Sequence, residues 1–280
     1  MSAPDQLLVV IDPVARRGDG ESVRIAKDVL CGGAAAKVCL PDGPEEFVRA
    51  LARRGSRRPV VIGDDEALLR AVHTLHEGGD LGESSLSLVP VGPAETVRLA
   101  VSLGTPTGAV TAARAVLDGV ERRLDLLVDD RGGVVVGGLR IPDGPDSSPA
   151  PHLEPLPSVW GTCRDLVRTL VRPAPAPRVP AMRAHRLRVE ADGRLLSDVD
   201  DPVEGVTVAS RDDGVAEVVV RPRAAEPVRA AASAVTVSGA GFTYRADTLL
   251  TGPVRTRTWT VRPSAWSLVV PAPALSPDRG

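Results

Sequence analysis

Short apolar runs alternate with amphipathic stretches along the first half of the chain. The apolar runs predict buried strands at residues 7–11, 35–40, 59–62, 86–91 and 123–128. Apolar residues at helical spacing predict helices at residues 21–30, 44–54, 64–77, 94–103 and 109–117. Almost continuously apolar strands that alternate with helices are typical of a parallel sheet covered on both faces.

The second half of the chain has a different pattern, because from Ala184 onward apolar and polar residues alternate with a period of two. This pattern predicts antiparallel strands at residues 185–190, 207–209, 216–220, 233–237, 242–246, 255–261 and 267–270. Asp192-Gly193 and Asp213-Gly214 are dipeptides typical of hairpin turns. The predicted fold class is therefore an N-terminal α/β domain with a parallel sheet, followed by an antiparallel β-sandwich domain.

A proline-rich middle separates the two patterns. Residues 141–157 and 172–180 are rich in proline and predict loops, and residues 160–171 between them predict one helix. We expect one domain at residues 1–136 and a second, mostly antiparallel domain at residues 137–280. Whether the last strands return to the first domain is left open.

The composition and charge of the chain limit the kinds of partner that we expect the protein to bind. The chain has 280 residues, enough for two cores, and a formal net charge of −2 provides no global field for nucleic acid. Cys31, Cys39 and Cys163 are an odd number of cysteines, and no basic and apolar leader opens the sequence. No apolar run is long enough to cross a bilayer. These features predict a cytoplasmic protein whose membrane contact, if any, is peripheral.

Three turns follow three of the predicted parallel strands. The first begins at Asp12-Pro13, the second comprises residues 63–67 (GDDEA), and the third comprises residues 90–96 (PVGPAET). Because ligands of such sheets bind at the carboxyl ends of the strands, the three turns predict one shared crevice.

The order and spacing of these turns resemble the catalytic domain of the diacylglycerol kinase family, within the superfamily that includes NAD kinases. The family's second motif is Gly-Gly-Asp-Gly-Thr, of which Gly63 and Asp65 match while Asp64, Glu66 and Ala67 depart. Its third motif is Pro-Leu-Gly-Thr-Gly-Asn-Asp, of which Pro90 and Gly92 match. The layout covers most of the chain, although each single motif is weak.

The resemblance implies an ATP-dependent lipid kinase that transfers a phosphoryl group to a lipid hydroxyl. Asp247 stands where the family has the Asp-Gly-Glu whose aspartate deprotonates the lipid, so the resemblance gives Asp247 the role of general base. It implies ATP and Mg²⁺ as cofactors, with Asp65 as the best-placed metal ligand, and a lipid acceptor between the domains. The implied nucleotide-binding residues are Asp12, Arg16, Gly63, Asp64, Asp65, Glu66, Gly92, Glu95 and Thr96.

The departures from the motifs favour a second hypothesis, a catalytically inactive relative that binds a nucleotide, a lipid or a protein. Asp64 and Glu66 replace two glycines and bring negative charge to a loop that would hold an anionic phosphate. A carboxylate about 5 Å from one phosphate charge costs about 3 kcal/mol at an effective dielectric constant near 20. Two interpretations of Asp64 remain: a ligand of Mg²⁺ with its neighbours, or an N-cap of the following helix. A homodimer also stays open.

Several other groups of residues admit more than one interpretation. His73 and His76 are either a zinc pair or solvent-facing positions of one helix, and Cys31 and Cys39 are expected in the core. Arg16 and Arg17 either meet phosphate or lie in a solvated loop. A last set near the C-terminus fits either a lipid-facing surface or the alternating faces of a sheet: Arg255, Arg257, Trp259 and Trp266.

Overall fold

The computed structural model describes residues 6–142, 184–223 and 225–273. The predicted helix at residues 160–171, most of the proline-rich segments and Cys163 lie outside these ranges.

A four-stranded parallel sheet forms the first part of the molecule. Its strands are β1 (Gln6–Ile11), β2 (Ala35–Cys39), β3 (Arg58–Gly63) and β4 (Ser87–Pro90), in the order β2-β1-β3-β4. Every neighbouring pair is parallel, as the continuous apolar runs predict. The carboxyl ends of β1, β3 and β4 therefore lie at the same edge of the sheet.

Helices cover both faces of this sheet. They are α1 (Pro13–Gly18), α2 (Gly20–Gly33), α3 (Pro44–Ala52), α4 (Asp65–Glu77), α5 (Arg98–Ser102) and α6 (Ala109–Asp118). On β1, Leu8 and Val10 pack in a core with α3 and α4, whereas Val9 and Ile11 pack with α2 and α6. The division arises because successive residues of a strand point to opposite faces of the sheet, and both faces of β1 are buried.

Two local predictions for the helices are wrong. The turn after β1 is the short helix α1 and not a loop, because Pro13 at its first position and the Asp12 side chain at its N-cap favour a helix start. The single helix predicted at residues 94–103 is a 3₁₀ turn, Ala94–Thr96, followed by α5.

A ten-stranded antiparallel sheet forms the second part of the molecule. The order of its main path is β12-β11-β10-β7-β13-β14-β5-β6, and β8 pairs with β13 and β9. Because β7 and β8 pair with different halves of β13, the sheet branches around a shared apolar core. The strands are β5 (Val120–Asp129), β6 (Val134–Val135), β7 (Gly138–Ile141), β8 (Leu187–Ala191), β9 (Arg194–Ser197), β10 (Val203–Ser210), β11 (Ala216–Pro222), β12 (Val228–Ala232), β13 (Ala234–Ala246) and β14 (Leu249–Val270).

The fifth predicted strand belongs to this second sheet and not to the parallel one. β5 pairs antiparallel with β14, and the end of β14 then meets the first sheet. There Leu86 N donates to Ser267 O at 2.8 Å and Val269 N donates to Leu86 O at 2.9 Å. Trp266 is fully buried at this junction. The boundary near residue 136 stays a prediction.

β14 explains the pattern of the C-terminal arginines and tryptophans. Arg257, Trp259 and Val261 alternate into the interior, where Arg257 contacts the carboxylates of Asp130 at 2.8 Å and Asp129 at 3.7 Å. The interpretation as alternating faces of a sheet is confirmed. A lipid-facing role for the two tryptophan rings is wrong, since both are fully buried.

Candidate functional site

The turns after β1, β3 and β4 meet in one place, which we call the crevice (Asp12, residues 63–67 and residues 92–96). Asp12 N donates to Ile62 O at 2.9 Å, and Val91 N donates to Gly63 O at 2.9 Å. A Cβ built on Gly63 would lie 3.0 Å from the Asp12 Cβ, and one built on Gly92 would lie 3.5 Å from the Asp64 Cβ. The predicted convergence of the three turns is therefore present.

Asp12 is buried at the start of α1. Its carboxylate accepts a hydrogen bond from Val14 N at 2.8 Å and forms an ion pair with Arg70 at 2.9 Å. Arg70 in turn lies over the Phe47 ring, 5.4 Å from its centroid. Asp12 thus caps a helix and neutralises the arginine of α4.

Asp64 caps α4. Its backbone is extended and its carboxylate accepts a hydrogen bond from Ala67 N at 3.1 Å, so the N-cap interpretation is confirmed. Glu66 is exposed in the first turn of the same helix, where the helix dipole favours negative charge.

Asp65 faces inward beside Asp64 and is only 4% exposed. Its two carboxylate oxygens accept hydrogen bonds from Leu99 N and Ala100 N, each at 2.9 Å, which fixes the start of α5. Burial raises the pKa of Asp65, and the backbone donors oppose that rise.

The three aspartates share one property: each uses its carboxylate to satisfy backbone N–H groups at the start of a helix. Mg²⁺ needs several oxygen ligands that are free to face the ion, and Asp65 has both oxygens engaged. Within residues 6–142, 184–223 and 225–273, no group of three or more His, Cys, Asp and Glu side chains could hold a metal ion. This donor set does not fit a resident Mg²⁺.

The other predicted nucleotide-binding residues contribute little that could hold phosphate. Arg16 forms an ion pair with Asp42 at 3.0 Å. The Thr96 hydroxyl donates to Pro93 O at 3.0 Å, and Gly92 and Glu95 are exposed.

Asp247 lies in the turn between β13 and β14 with a φ of 49°, a region that aspartate tolerates better than most residues. Its carboxylate accepts three backbone hydrogen bonds, from Val136 N at 2.8 Å, Gly137 N at 2.7 Å and Gly138 N at 3.0 Å. Burial raises the pKa of Asp247 against the effect of these donors. Asp247 therefore ties the long hairpin to the loop that precedes β7.

Asp247 also lines a cleft of about 980 Å³ between α5 and the antiparallel sheet, which we call the interdomain cleft. Asp65 and Glu95 line the same cleft, so it joins one side of the crevice to Asp247. Its wall does not include Asp12, Arg16 or Gly63 among the described residues. Five arginines also line it: Arg98, Arg140, Arg221, Arg229 and Arg245.

The arginines of the cleft are residues that sequence reasoning missed. Four of them stand on strands, where the period-two pattern marks them as outward-facing, and Arg98 belongs to α5. The four strand arginines are brought together by the pairing of β12 with β11, of β11 with β10, and of β7 with β10 and β13.

Two minor predictions are wrong. His73 is half-buried and not solvent-facing; burial lowers its pKa, while nearby Glu77 and Asp247 raise it. Cys31 is exposed and therefore not a core residue, whereas Cys39 is half-buried and packs against the core.

We expect Asp247 to make the stability of the protein depend on pH in an unusual direction. Because its pKa is raised, the folded state binds this proton more tightly than the unfolded chain, whose carboxyl pKa is about 3.9. Its contribution is full below the unfolded pKa and is lost as pH rises through the folded pKa. Urea unfolding gives the free energy of unfolding of the wild type and of Asp247→Asn at each pH. The value for the wild type minus the value for the variant should decrease as pH rises.

Asp192→Asn is the matched control for this measurement. Asp192 also has a positive φ, 47°, and accepts hydrogen bonds from Ser233 N and Ala234 N, but the bond from Ser233 N lowers its pKa. The stabilisation that Asp192 contributes is present above the unfolded pKa and is lost as pH falls. The free energy of unfolding of the wild type minus that of Asp192→Asn should therefore increase with pH. If the two differences changed with pH in the same direction, the raised pKa assigned to Asp247 would be contradicted.

Known protein structures match this chain, whereas known protein sequences do not. No protein-family model and no curated protein matches the chain. A solved structure of a diacylglycerol kinase from Bacillus anthracis str. Sterne superposes with a TM-score of 0.71 at 10% identity, over 96% of this chain and 98% of that one. The chain has the diacylglycerol kinase fold.

Two further structures from the same organism agree, both provisionally assigned as diacylglycerol kinases. Their TM-scores are 0.69 and 0.70 at 12% identity, over 96% of this chain and 98% and 97% of theirs. Likeness at this identity establishes the diacylglycerol kinase fold alone, because one fold can host different functions. Among the described residues, no helix has both the length and the apolar character needed to cross a membrane.

Proposed function

We propose that this protein is a ligand-binding relative of the diacylglycerol kinases that does not transfer a phosphoryl group. The observation that carries the proposal is the capping of α1, α4 and α5 by Asp12, Asp64 and Asp65. One N–H group of α1, one of α4 and two of α5 are thereby used within the chain. The ligand of this protein would occupy the interdomain cleft.

The physical reason is competition for the same donors. A helix N-terminus binds phosphate because its first N–H groups lack partners and its dipole favours an anion. Here the Asp64 carboxylate accepts from Ala67 N at 3.1 Å. A phosphate in this position would lose a donor and face a carboxylate, at a cost of about 3 kcal/mol for each charge pair near 5 Å. That cost corresponds to about a hundredfold in affinity.

An active lipid kinase using ATP and Mg²⁺ is the second candidate. The position of Asp247 favours this candidate. A general base that acts on a lipid hydroxyl in the interdomain cleft has to line that cleft, and Asp247 does so. Against it, the Asp247 carboxylate accepts three N–H groups, which suits a structural tie. The cytoplasmic location and the homodimer stay predictions.

Phosphoryl transfer separates the two candidates. We expect no transfer of labelled phosphate from ATP with Mg²⁺ to diacylglycerol or to a lipid extract above a protein-free sample. A diacylglycerol kinase of known activity serves as the positive control. Transfer by the wild type that disappears in Asp247→Asn would contradict the proposal and support the second candidate.

A further inference from the structure

A groove of about 460 Å³ lies at the outer edge of the parallel sheet, between α3 and β2. We call it the edge groove, and its walls are formed by Lys37, Cys39, Glu46, Arg49, Ala50 and Arg53. No described residue lines both the edge groove and the interdomain cleft. The edge groove is therefore a separate feature of the molecule.

The walls of the edge groove follow from the periods of a helix and a strand. Glu46, Arg49 and Arg53 have the spacing i, i+3 and i+7, so they share one face of α3. Lys37 and Cys39 are two residues apart on β2, so they share one face of the sheet. Because α3 packs against β1 and α4, this face of β2 is left accessible.

The edge groove carries an excess of positive charge. Its walls contribute three cations, Lys37, Arg49 and Arg53, and one carboxylate, Glu46. That carboxylate lies 3.8 Å from Arg49 and also accepts a hydrogen bond from Asp42 N at 3.0 Å. Within the described part of the chain, neither Lys37 nor Arg53 has an acidic partner at ion-pair distance. Two cations are thus free to meet carboxylates of a ligand.

The strand beside the edge groove has an unpaired side. β2 is the outermost strand of the parallel sheet, and among the described strands it pairs only with β1. Every second residue of such a strand directs its N–H and C=O groups away from the sheet. An extended peptide can pair with these groups, in which case main-chain hydrogen bonds give affinity and side chains give specificity.

The side chains of β2 select the kind of peptide that fits. On the groove face, an added strand about 4.8 Å from β2 lies next to Lys37, which favours acidic side chains there. On the other face, Ala36 and Val38 pack against the core beneath α2, which favours apolar side chains. The matching segment alternates acidic and apolar residues.

A second copy of this chain matches the edge less well. Lys37 is the central residue of β2, so a symmetric pairing of two such strands places Lys37 opposite its own copy. Like charges in directly opposed positions destabilise a sheet, and lysine on an edge strand is a common protection against such pairing. The charge of the edge therefore favours an acidic partner.

We propose that β2 and the edge groove bind an extended acidic segment of a partner protein, which joins the parallel sheet as a fifth strand. The acidic side chains of the segment contact Lys37, Arg49 and Arg53. Its apolar side chains lie beside Ala36 and Val38. This interaction does not depend on the function proposed for the interdomain cleft.

Fluorescence anisotropy with synthetic peptides tests the inference on the full chain. We expect binding of the labelled peptide Glu-Val-Glu-Val-Glu-Val and none of Lys-Val-Lys-Val-Lys-Val. Methylation of every amide nitrogen of the acidic peptide keeps its charge and removes its main-chain donors. This change should weaken binding at least about tenfold, as expected from the loss of one or two hydrogen bonds.

A pair of charge variants tests the cations of the edge groove. Lys37→Gln with Arg53→Gln should weaken binding of the acidic peptide about tenfold, at about threefold for each ion pair. Arg24→Gln with Lys27→Gln is the matched control, since it removes one arginine and one lysine from α2, which packs on the opposite face of the sheet. We expect the control to bind the peptide as the wild type does.

The cysteines locate the bound peptide on the wild-type protein, so this readout does not depend on the folding of any variant. Cys39 lines the edge groove and is half-buried, whereas Cys31 is exposed on α2. Saturating acidic peptide should slow the alkylation of Cys39 by iodoacetamide and leave that of Cys31 unchanged. Mass spectrometry of the digested protein measures both.

Several results would overturn the inference. The first group comprises no binding of the acidic peptide, equal binding of the lysine peptide or the methylated peptide, and unchanged alkylation of Cys39. Equal losses in the edge-groove variant and the α2 variant would mean that net charge governs binding. A dimer that the acidic peptide dissociates in analytical ultracentrifugation would assign the edge to a second copy of this chain and exclude a separate partner protein.

Discussion

Replacing Asp64 and Glu66 together with glycine should give the protein at least about a hundredfold higher affinity for ATP. Asp64→Gly frees Ala67 N to meet a phosphate, and the pair of changes removes two carboxylates from the crevice. A glycine N-cap costs only a few tenths of a kcal/mol relative to aspartate, so the fold should persist. Isothermal titration calorimetry of the variant and the wild type measures the gain.

The chain offers a matched control for this gain. Asp19 caps α2 by accepting from Ser22 N at 3.0 Å, and Glu21 lies in the first turn of that helix. Asp19→Gly with Glu21→Gly removes an equivalent cap and the same charge from exposed positions, where solvent screens its effect. We expect no change in ATP affinity. An equal gain in both variants would mean that net charge, and not the crevice, governs binding.

Replacing Asp65 with alanine should lower the free energy of unfolding by about 2–4 kcal/mol, because two buried N–H groups lose their acceptor. Leu99 N and Ala100 N donate to this carboxylate at 2.9 Å, and both belong to α5. The raised pKa of Asp65 means that burial already opposes the charged form, which keeps the loss from being larger. Urea unfolding followed by circular dichroism measures the change.

Glu66→Ala is the control, since the neighbouring residue has the same acidic character but is exposed. We expect it to change the free energy of unfolding by no more than about 0.5 kcal/mol. If Asp65→Ala proved as mild as Glu66→Ala, Asp65 would not hold α5, and a ligand role for its carboxylate would become the better explanation.

The sequence predicts the crevice well because the interactions that build it are local. Continuous apolar runs specify β1, β3 and β4, and parallel pairing then brings their carboxyl ends to one edge. Asp64 is recognisable as a cap because its partner, Ala67 N, is three residues away.

Local patterns in the sequence do not reveal the walls of the interdomain cleft, because its contacts are distant along the chain, and only the family resemblance singles out Asp65 and Asp247. Asp247 accepts from Val136 N, 111 residues earlier, and nothing local distinguishes this aspartate from an exposed one. The facing of Arg140 and Arg245 depends on the register of β7 against β13, which the alternating pattern leaves undetermined. The same holds for Asp65, whose partners lie 34 and 35 residues away.

Calorimetric titration of the wild-type protein with ATP, with and without Mg²⁺, tests the central claim most directly. If the aspartates at the crevice occupy the donors that phosphate would need, binding should be weaker than about 1 mM in both cases, which is less than about 4 kcal/mol of affinity. One-to-one binding in the micromolar range that requires Mg²⁺ would contradict the claim.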